Sequence, residues 1–66
     1  MPRSYLFSFD SEDNARVFVQ KVVLHLKNVA LWRVGDSVRV IDGAEDDQRE
    51  RLYQLAHLTG ARRVKR

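Results

Sequence analysis

The chain has 66 residues, of which 44% are apolar and 32% are charged, the composition of one small globular domain and not of a disordered segment. It contains no cysteine, which excludes disulfide bridges, thiolate chemistry and cysteine-based metal sites. No apolar run is long enough to cross a bilayer, and the first residues lack the apolar core of a secretory signal. We therefore expect a single domain over residues 1–66, located in the cytoplasm and not in a membrane.

The positive charge is unevenly distributed. Twelve Lys and Arg residues against nine Asp and Glu residues give a net charge of +3 at pH 7. Four of the basic residues lie in the last five positions, namely Arg62, Arg63, Lys65 and Arg66. Removing those four leaves eight basic against nine acidic residues in residues 1–61. A basic total is typical of proteins that bind nucleic acids or anionic surfaces, but here it is a property of the C-terminal segment.

A strand and a helix are predicted in the first half of the chain. Ser4–Phe9 alternates aromatic with other residues, the period of two that indicates a strand. Residues 10–28 then predict a helix that Asp10 or Ser11 caps. Its apolar stripe consists of Ala15, Phe18, Val19, Val22, Val23 and Leu26. The many valines leave an all-β alternative open, with residues 17–26 as a strand, although sustained alternation is missing there.

A β-hairpin is predicted in the middle of the chain. Val29–Val34 and Ser37–Asp42 are two apolar, β-branched runs that only Gly35 and Asp36 separate. A Gly-Asp pair in this position indicates a two-residue loop, with the glycine at the positive φ of a type II′ turn.

A second helix and a last strand are predicted after the hairpin. The acidic residues Glu45–Asp47 suit the start of a helix, because negative charge is favourable at that end of the helix dipole, and Gly60 suits its end. The inner stripe of this helix is Leu52, Leu55, Ala56 and Thr59. Ala61–Lys65 is long enough for a short strand with Val64 in the core.

The order β-α-β-β-α-β predicts the α+β, ferredoxin-like split fold. This plan has a four-stranded antiparallel sheet in the order 4-1-3-2, with two helices on one face. A weak internal repeat with a spacing of 33 residues, which aligns Val19 with Leu52 and Val22 with Leu55, supports two halves of this kind. The other face of such a sheet is uncovered unless a partner covers it.

The length of the hairpin loop decides which residues lie on the uncovered face. A two-residue loop, with the valines of the third strand buried, turns Ala30, Trp32, Val34, Arg39 and Ile41 outwards. Leu6 joins this outer face if Phe7 and Phe9 pack inwards. A three-residue loop instead sends Trp32 into the core, since a slip of one residue moves every side chain across the sheet. We favour the two-residue loop because glycine comes first in it.

These patterns predict a non-enzymatic interaction or regulatory module that self-associates as a homodimer or other homo-oligomer, or that docks on a protein partner. The expected contact residues are Leu6, Trp32, Arg39 and Ile41 on the uncovered face, with Val17 and Leu24 on the outer side of the first helix. Trp and Arg are enriched at binding hot spots. The competing interpretations place Trp32 in the core or over a sheet edge, and treat Val17 and Leu24 as isolated exposed residues.

Binding of nucleic acid is the alternative function. Trp32 would stack on a base, and the cations Arg39, Arg63, Lys65 and Arg66 would contact phosphates. The aromatic motif that RNA-binding domains of this shape carry on their third strand is absent from the run SVRVID. Internal pairing of the C-terminal cations with the acidic loops competes with this interpretation, so we place it second.

No catalytic, metal or cofactor site is predicted. The acidic clusters Asp10–Asp13 and Asp42–Asp47 fall at opposite ends of the expected sheet, and helix capping accounts for them. His25 and His57 suit the last turns of their helices for the same electrostatic reason. Neither a glycine-rich phosphate loop nor a nucleophile motif is present.

Overall fold

The computed structural model describes residues 3–44 and 46–65, with the backbone alone for residues 63–65. The elements in chain order are β1 (Arg3–Phe9), α1 (Glu12–His25), β2 (Val29–Val34), β3 (Ser37–Asp42), α2 (Arg49–Leu58) and β4 (Ala61–Lys65). The order of elements is the predicted one, and the bounds of the hairpin strands agree with the prediction.

All four strands form one antiparallel sheet. The spatial order is β2-β3-β1-β4, and each neighbouring pair is antiparallel. This is the predicted order 4-1-3-2 read from the other edge. Strands β2 and β4 are therefore the edges of the sheet, and β1 and β3 lie at its centre.

Helix α1 begins where the sequence indicates. Ser11 is its N-cap, with an extended backbone (φ −148°) and a hydroxyl oxygen that accepts a hydrogen bond from the Asn14 N–H at 3.1 Å. Such a cap satisfies one of the four free N–H groups of the first turn. The helix continues through the valine-rich segment to His25, so the all-β alternative is wrong.

Helix α2 begins later than predicted, at Arg49 and not in the acidic segment. The Asp47 carboxylate accepts a hydrogen bond from the Arg49 N–H at 2.9 Å, and this bond lowers the pKa of Asp47. The Gln48 side chain makes two hydrogen bonds with the Lys27 backbone, of 3.1 and 2.8 Å. These contacts hold the residues before Arg49 in a loop. Glu45 lies outside the described residues.

The core lies between the helices and the inner face of the sheet. Its buried apolar residues are Tyr5, Phe7, Phe9, Ala15, Phe18, Val22, Leu26, Val38, Val40, Leu52 and Ala56. The Phe18 ring lies 5.0 Å from each of the Phe7 and Phe9 rings, between centroids, which fixes α1 over β1. Val23 is 63% exposed, so its predicted place on the buried stripe is wrong. It follows Phe18 by five positions, and this spacing places its side chain on the side of the helix and not over the sheet. The predicted core position of Val64 lies outside the described side chains.

Candidate interaction surface

The hairpin has the predicted two-residue loop. Val34 is opposite Ser37, and Trp32 is opposite Arg39. Gly35 has φ +59°, the value that the first central residue of a type II′ turn requires. Within the described ranges Asn28 is the one other residue besides glycine with a positive φ. Asp36 thus has a negative φ, which agrees with type II′ and not with type I′.

This register turns one set of side chains away from the helices. The open face, as we call this set, consists of Ser4, Leu6, Ser8, Ala30, Trp32, Val34, Ser37, Arg39 and Ile41. Trp32 is 52% exposed and Val34 is 78% exposed, while Leu6 and Ile41 are half-buried. Trp32, Arg39 and Leu6 form one row across three strands. A shallow groove follows this row and the turn end beside it, with Val34 and Ser37 in its lining.

Arg39 is the central charge of the open face. Within residues 3–44 and 46–62, no acceptor bonds to its guanidinium. By contrast, Arg33 binds Glu12 and the Gly35 carbonyl oxygen, each at 2.9 Å. The described residues of the open face include no carboxylate. Arg39 therefore offers a cation, and the described surface around it supplies no counter-ion.

The C-terminal cations are only partly described. The register of β1 with β4 shifts between Ser8 and Phe9. Beside this bulge, the Arg62 guanidinium binds Asp10 at 3.1 Å and Asp36 at 3.4 Å. In the backbone register, Arg63 is opposite Ser8 and Lys65 is opposite Leu6, but their side chains lie outside the described set, as does all of Arg66. Internal pairing is thus confirmed for Arg62, and a role for the other three in binding anions stays a prediction.

The two other predicted contact residues, Val17 and Leu24, lie in the helical layer and not on the open face. They are 42% and 78% exposed, as expected. The prediction did not include Val34 or Leu58 among the contact residues, and both are exposed to a similar degree as Leu24, at 78% and 75%. For Val34 a signal was present, because its place beside the turn puts it opposite Ser37 on the outward side.

Asp42 has a structural role that the sequence does not reveal. It is 1% exposed, and its Oδ1 atom accepts hydrogen bonds from the Ala44 N–H at 2.9 Å and from the Gln48 amide at 3.2 Å. Its Oδ2 atom has no hydrogen-bond partner in the described part of the chain. Because Gln48 also binds the Lys27 backbone, this arrangement ties the end of β3 to the loop after α1.

Metal and membrane sites were searched in the same residues. No group of three or more His, Cys, Asp or Glu side chains that would hold a metal ion occurs in the described ranges. No helix there is both long and apolar enough to span a bilayer.

The chain was compared with protein-family models, with curated proteins and with solved structures, and none of the three comparisons gave a significant match.

Proposed function

We propose that this chain is a non-enzymatic interaction module that docks on a protein partner through its open face. The observation that supports the proposal is the exposed apolar surface of this face around Arg39, which has no counter-ion among the described residues. Trp32 and Val34 together leave a continuous apolar area beside Arg39. Contiguous apolar surface of this kind, rimmed by polar residues, is typical of contact sites, and Trp and Arg carry much of the energy in such sites.

The charge of the open face favours a partner different from the chain itself. If two copies met face to face, each Arg39 would lose water and meet a face that carries no carboxylate in its described part. Burying an unpaired charge costs several kcal/mol. A protein surface with an acidic residue among apolar residues avoids this cost, because its carboxylate binds the guanidinium as the apolar parts close over Trp32. We infer an acidic and apolar partner surface.

A protein fits the open face better than a nucleic acid does. A base-stacking sheet needs aromatic residues on its exposed side, but the aromatic residues of β1, namely Tyr5, Phe7 and Phe9, are all buried under the helices. Trp32 is the one aromatic residue of the face, and it lies on an edge strand. The aliphatic side chains of Leu6, Val34 and Ile41 suit a protein surface.

Site-specific photo-crosslinking in living cells tests the proposal. A benzophenone amino acid replaces Val34 on the open face in one variant and Leu58 on α2 in the control, because the two side chains are similarly exposed, at 78% and 75%. We expect a protein adduct of defined mass from position 34 and no such adduct from position 58. Adding Arg39→Glu, in a chain whose circular dichroism shows it to be folded, removes the adduct.

The identity of the adduct separates the alternatives. An adduct that a nuclease removes supports the nucleic-acid alternative and refutes docking on a protein. An adduct with the mass of two copies of this chain refutes the inference that the partner differs from the chain if Arg39→Glu removes it, because only contact through the open face depends on Arg39. Equal labelling at positions 34 and 58, no adduct with another protein, or such an adduct that persists with Arg39→Glu each contradicts the proposed site.

A further inference from the structure

The free edge of β2 is a second surface with the properties of a contact site. In a two-residue hairpin, the two residues next to the turn bond to each other through both backbone groups, each N–H donating to the other residue's C=O. Every second pair along the hairpin does the same, and the residues between these pairs point their N–H and C=O groups away from the partner strand. The bond from the Gly43 N–H to the Asn28 oxygen, at 2.8 Å, continues this alternation past the end of β2. The backbone groups of Val29, Leu31 and Arg33 therefore point away from β3. No hydrogen bond within the described ranges reaches them.

Strand β2 has few of the devices that usually protect an edge strand, and its one charged residue, Arg33, is paired with Glu12. Its six residues, VALWRV, include no proline, glycine or lysine, and its register with β3 is continuous. The opposite edge, β4, has the charged sequence ARRVK and a bulge. Charges, prolines and bulges are the features by which sheets avoid pairing at their edges. The β2 edge is thus free to add another strand.

Apolar residues flank the β2 edge on both sides of the sheet. Trp32 and Val34 lie on the open face. On the helical side, the Glu12–Arg33 ion pair of 2.9 Å shows which side of α1 is next to β2. Val19 and Val23 follow Glu12 by seven and eleven positions, which places them on that same side of the helix, and they line one groove.

We propose that a second copy of the chain pairs with the β2 edge, antiparallel and related by a two-fold axis. The two sheets then form one eight-stranded sheet, and the two α1 helices lie side by side with Val19 and Val23 between them. The open face stays uncovered, so this inference goes beyond the proposed docking function, and each of the two tests can fail without the other.

The charges near the edge are compatible with a second copy. Arg33 is already paired with Glu12 in its own chain, so two edges approach without bringing free charges together. Arg39 lies one strand behind the edge. In the pair, the two Arg39 residues are three strand spacings apart, about 14 Å, which exceeds the Debye length of about 10 Å at 0.1 M salt. The repulsion between the two Arg39 residues is therefore largely screened in the pair.

The size of the edge predicts a weak dimer. Six strand residues extend about 20 Å, and the smallest dimension of the molecule is 17 Å. The contact thus covers about 340 Å² of each chain in projection, or roughly 700 Å² over both chains, below the 1,200–2,000 Å² total of a stable interface. We expect dissociation in the micromolar range or above.

Sedimentation and amide hydrogen exchange of the purified chain, from about 10 μM to about 1 mM, test the inference. We expect a monomer that becomes a dimer over this range. The Leu31 and Arg33 amides exchange fast in the monomer and become protected in the dimer, whereas the Trp32 amide, which is bonded to β3, is protected throughout. A chain that stays monomeric, or a dimer in which Leu31 and Arg33 still exchange fast, overturns the proposal.

Three variants identify the surface. Leu31→Pro removes an outward N–H without removing a β2–β3 hydrogen bond, and Val23→Lys adds a charge beside the edge while leaving the strand intact. Each is expected to weaken dimerisation at least about tenfold, and Val23→Lys remains informative if the proline variant does not fold. Leu58→Lys on α2 is the control, because Leu58 is 75% exposed and lies outside the groove of Val19 and Val23. Dissociation by Leu58→Lys as strong as that by Val23→Lys refutes the β2 edge as the contact.

Discussion

The open face depends on the turn at Gly35, and the substitution Gly35→Ala tests this dependence. The glycine has φ +59°, and an added Cβ atom would meet no other atom within 4 Å. The cost of the substitution is therefore conformational and not due to crowding. A sparsely populated positive-φ conformation costs an L-residue about 1–3 kcal/mol. We expect this loss from a total stability of about 3–10 kcal/mol for a domain of this length.

The D-alanine variant, made by chemical synthesis, is the matched control. It adds the same methyl group but favours positive φ, and a residue compatible with its backbone stabilises by about 0.4–1 kcal/mol through the unfolded state. Urea unfolding, followed by circular dichroism and by Trp32 fluorescence, measures both changes. An L-alanine variant as stable as the parent chain, or a D-alanine variant as unstable as the L-form, refutes the assignment of the turn.

Three further expectations concern the core, the loop and the effect of pH. Phe18→Ala costs about 3–5 kcal/mol in a thermal melt and unfolds much of the chain, whereas Val23→Ala costs under about 0.5 kcal/mol because its side chain is mostly exposed. Gln48→Ala costs about 1–3 kcal/mol in urea, because buried Asp42 loses a donor. Burial raises the pKa of Tyr5 above 10.0. The stability that the neutral Tyr5 side chain contributes is therefore complete below pH 10 and is lost as the pH rises through the pKa of Tyr5 in the folded state. Tyr5→Phe removes this alkaline loss of stability and changes little at pH 7.

The fold and the composition of the open face could be predicted from local signals. A two-residue turn and the alternation of side chains fix the register of a hairpin without knowledge of distant residues. Gly35 indicated the turn, the valines of β3 indicated the inner face, and together they placed Trp32 opposite Arg39 on the outside. These features depend on neighbours within a few positions, so one sequence is sufficient to find them.

The features that sequence reasoning missed depend on residues far apart in the chain. The late start of α2 results partly from Gln48, which bonds to Lys27, 21 positions earlier. The burial of Asp42 depends on the same amide. A residue pattern shows that an acidic segment suits the start of a helix. It does not show that Gln48, next to this segment, bonds to the distant Lys27 backbone and holds the segment in a loop.

The distribution of charge explains why the face and the edge suit different partners. The net charge of +3 suggests a basic protein, but Arg62 and Arg33 are held by Asp10, Asp36 and Glu12 near the turn end of the sheet. The Arg33–Glu12 pair neutralises the β2 edge, where a second copy must approach an identical surface. It leaves Arg39 as the unpaired cation of the described open face, where a copy would bring the same charge. In the described part of the chain, the β2 edge is neutral and has unpaired backbone N–H and C=O groups, whereas the open face carries one unpaired cation. These are therefore two different surfaces: the edge favours the chain itself, and the face favours an acidic partner.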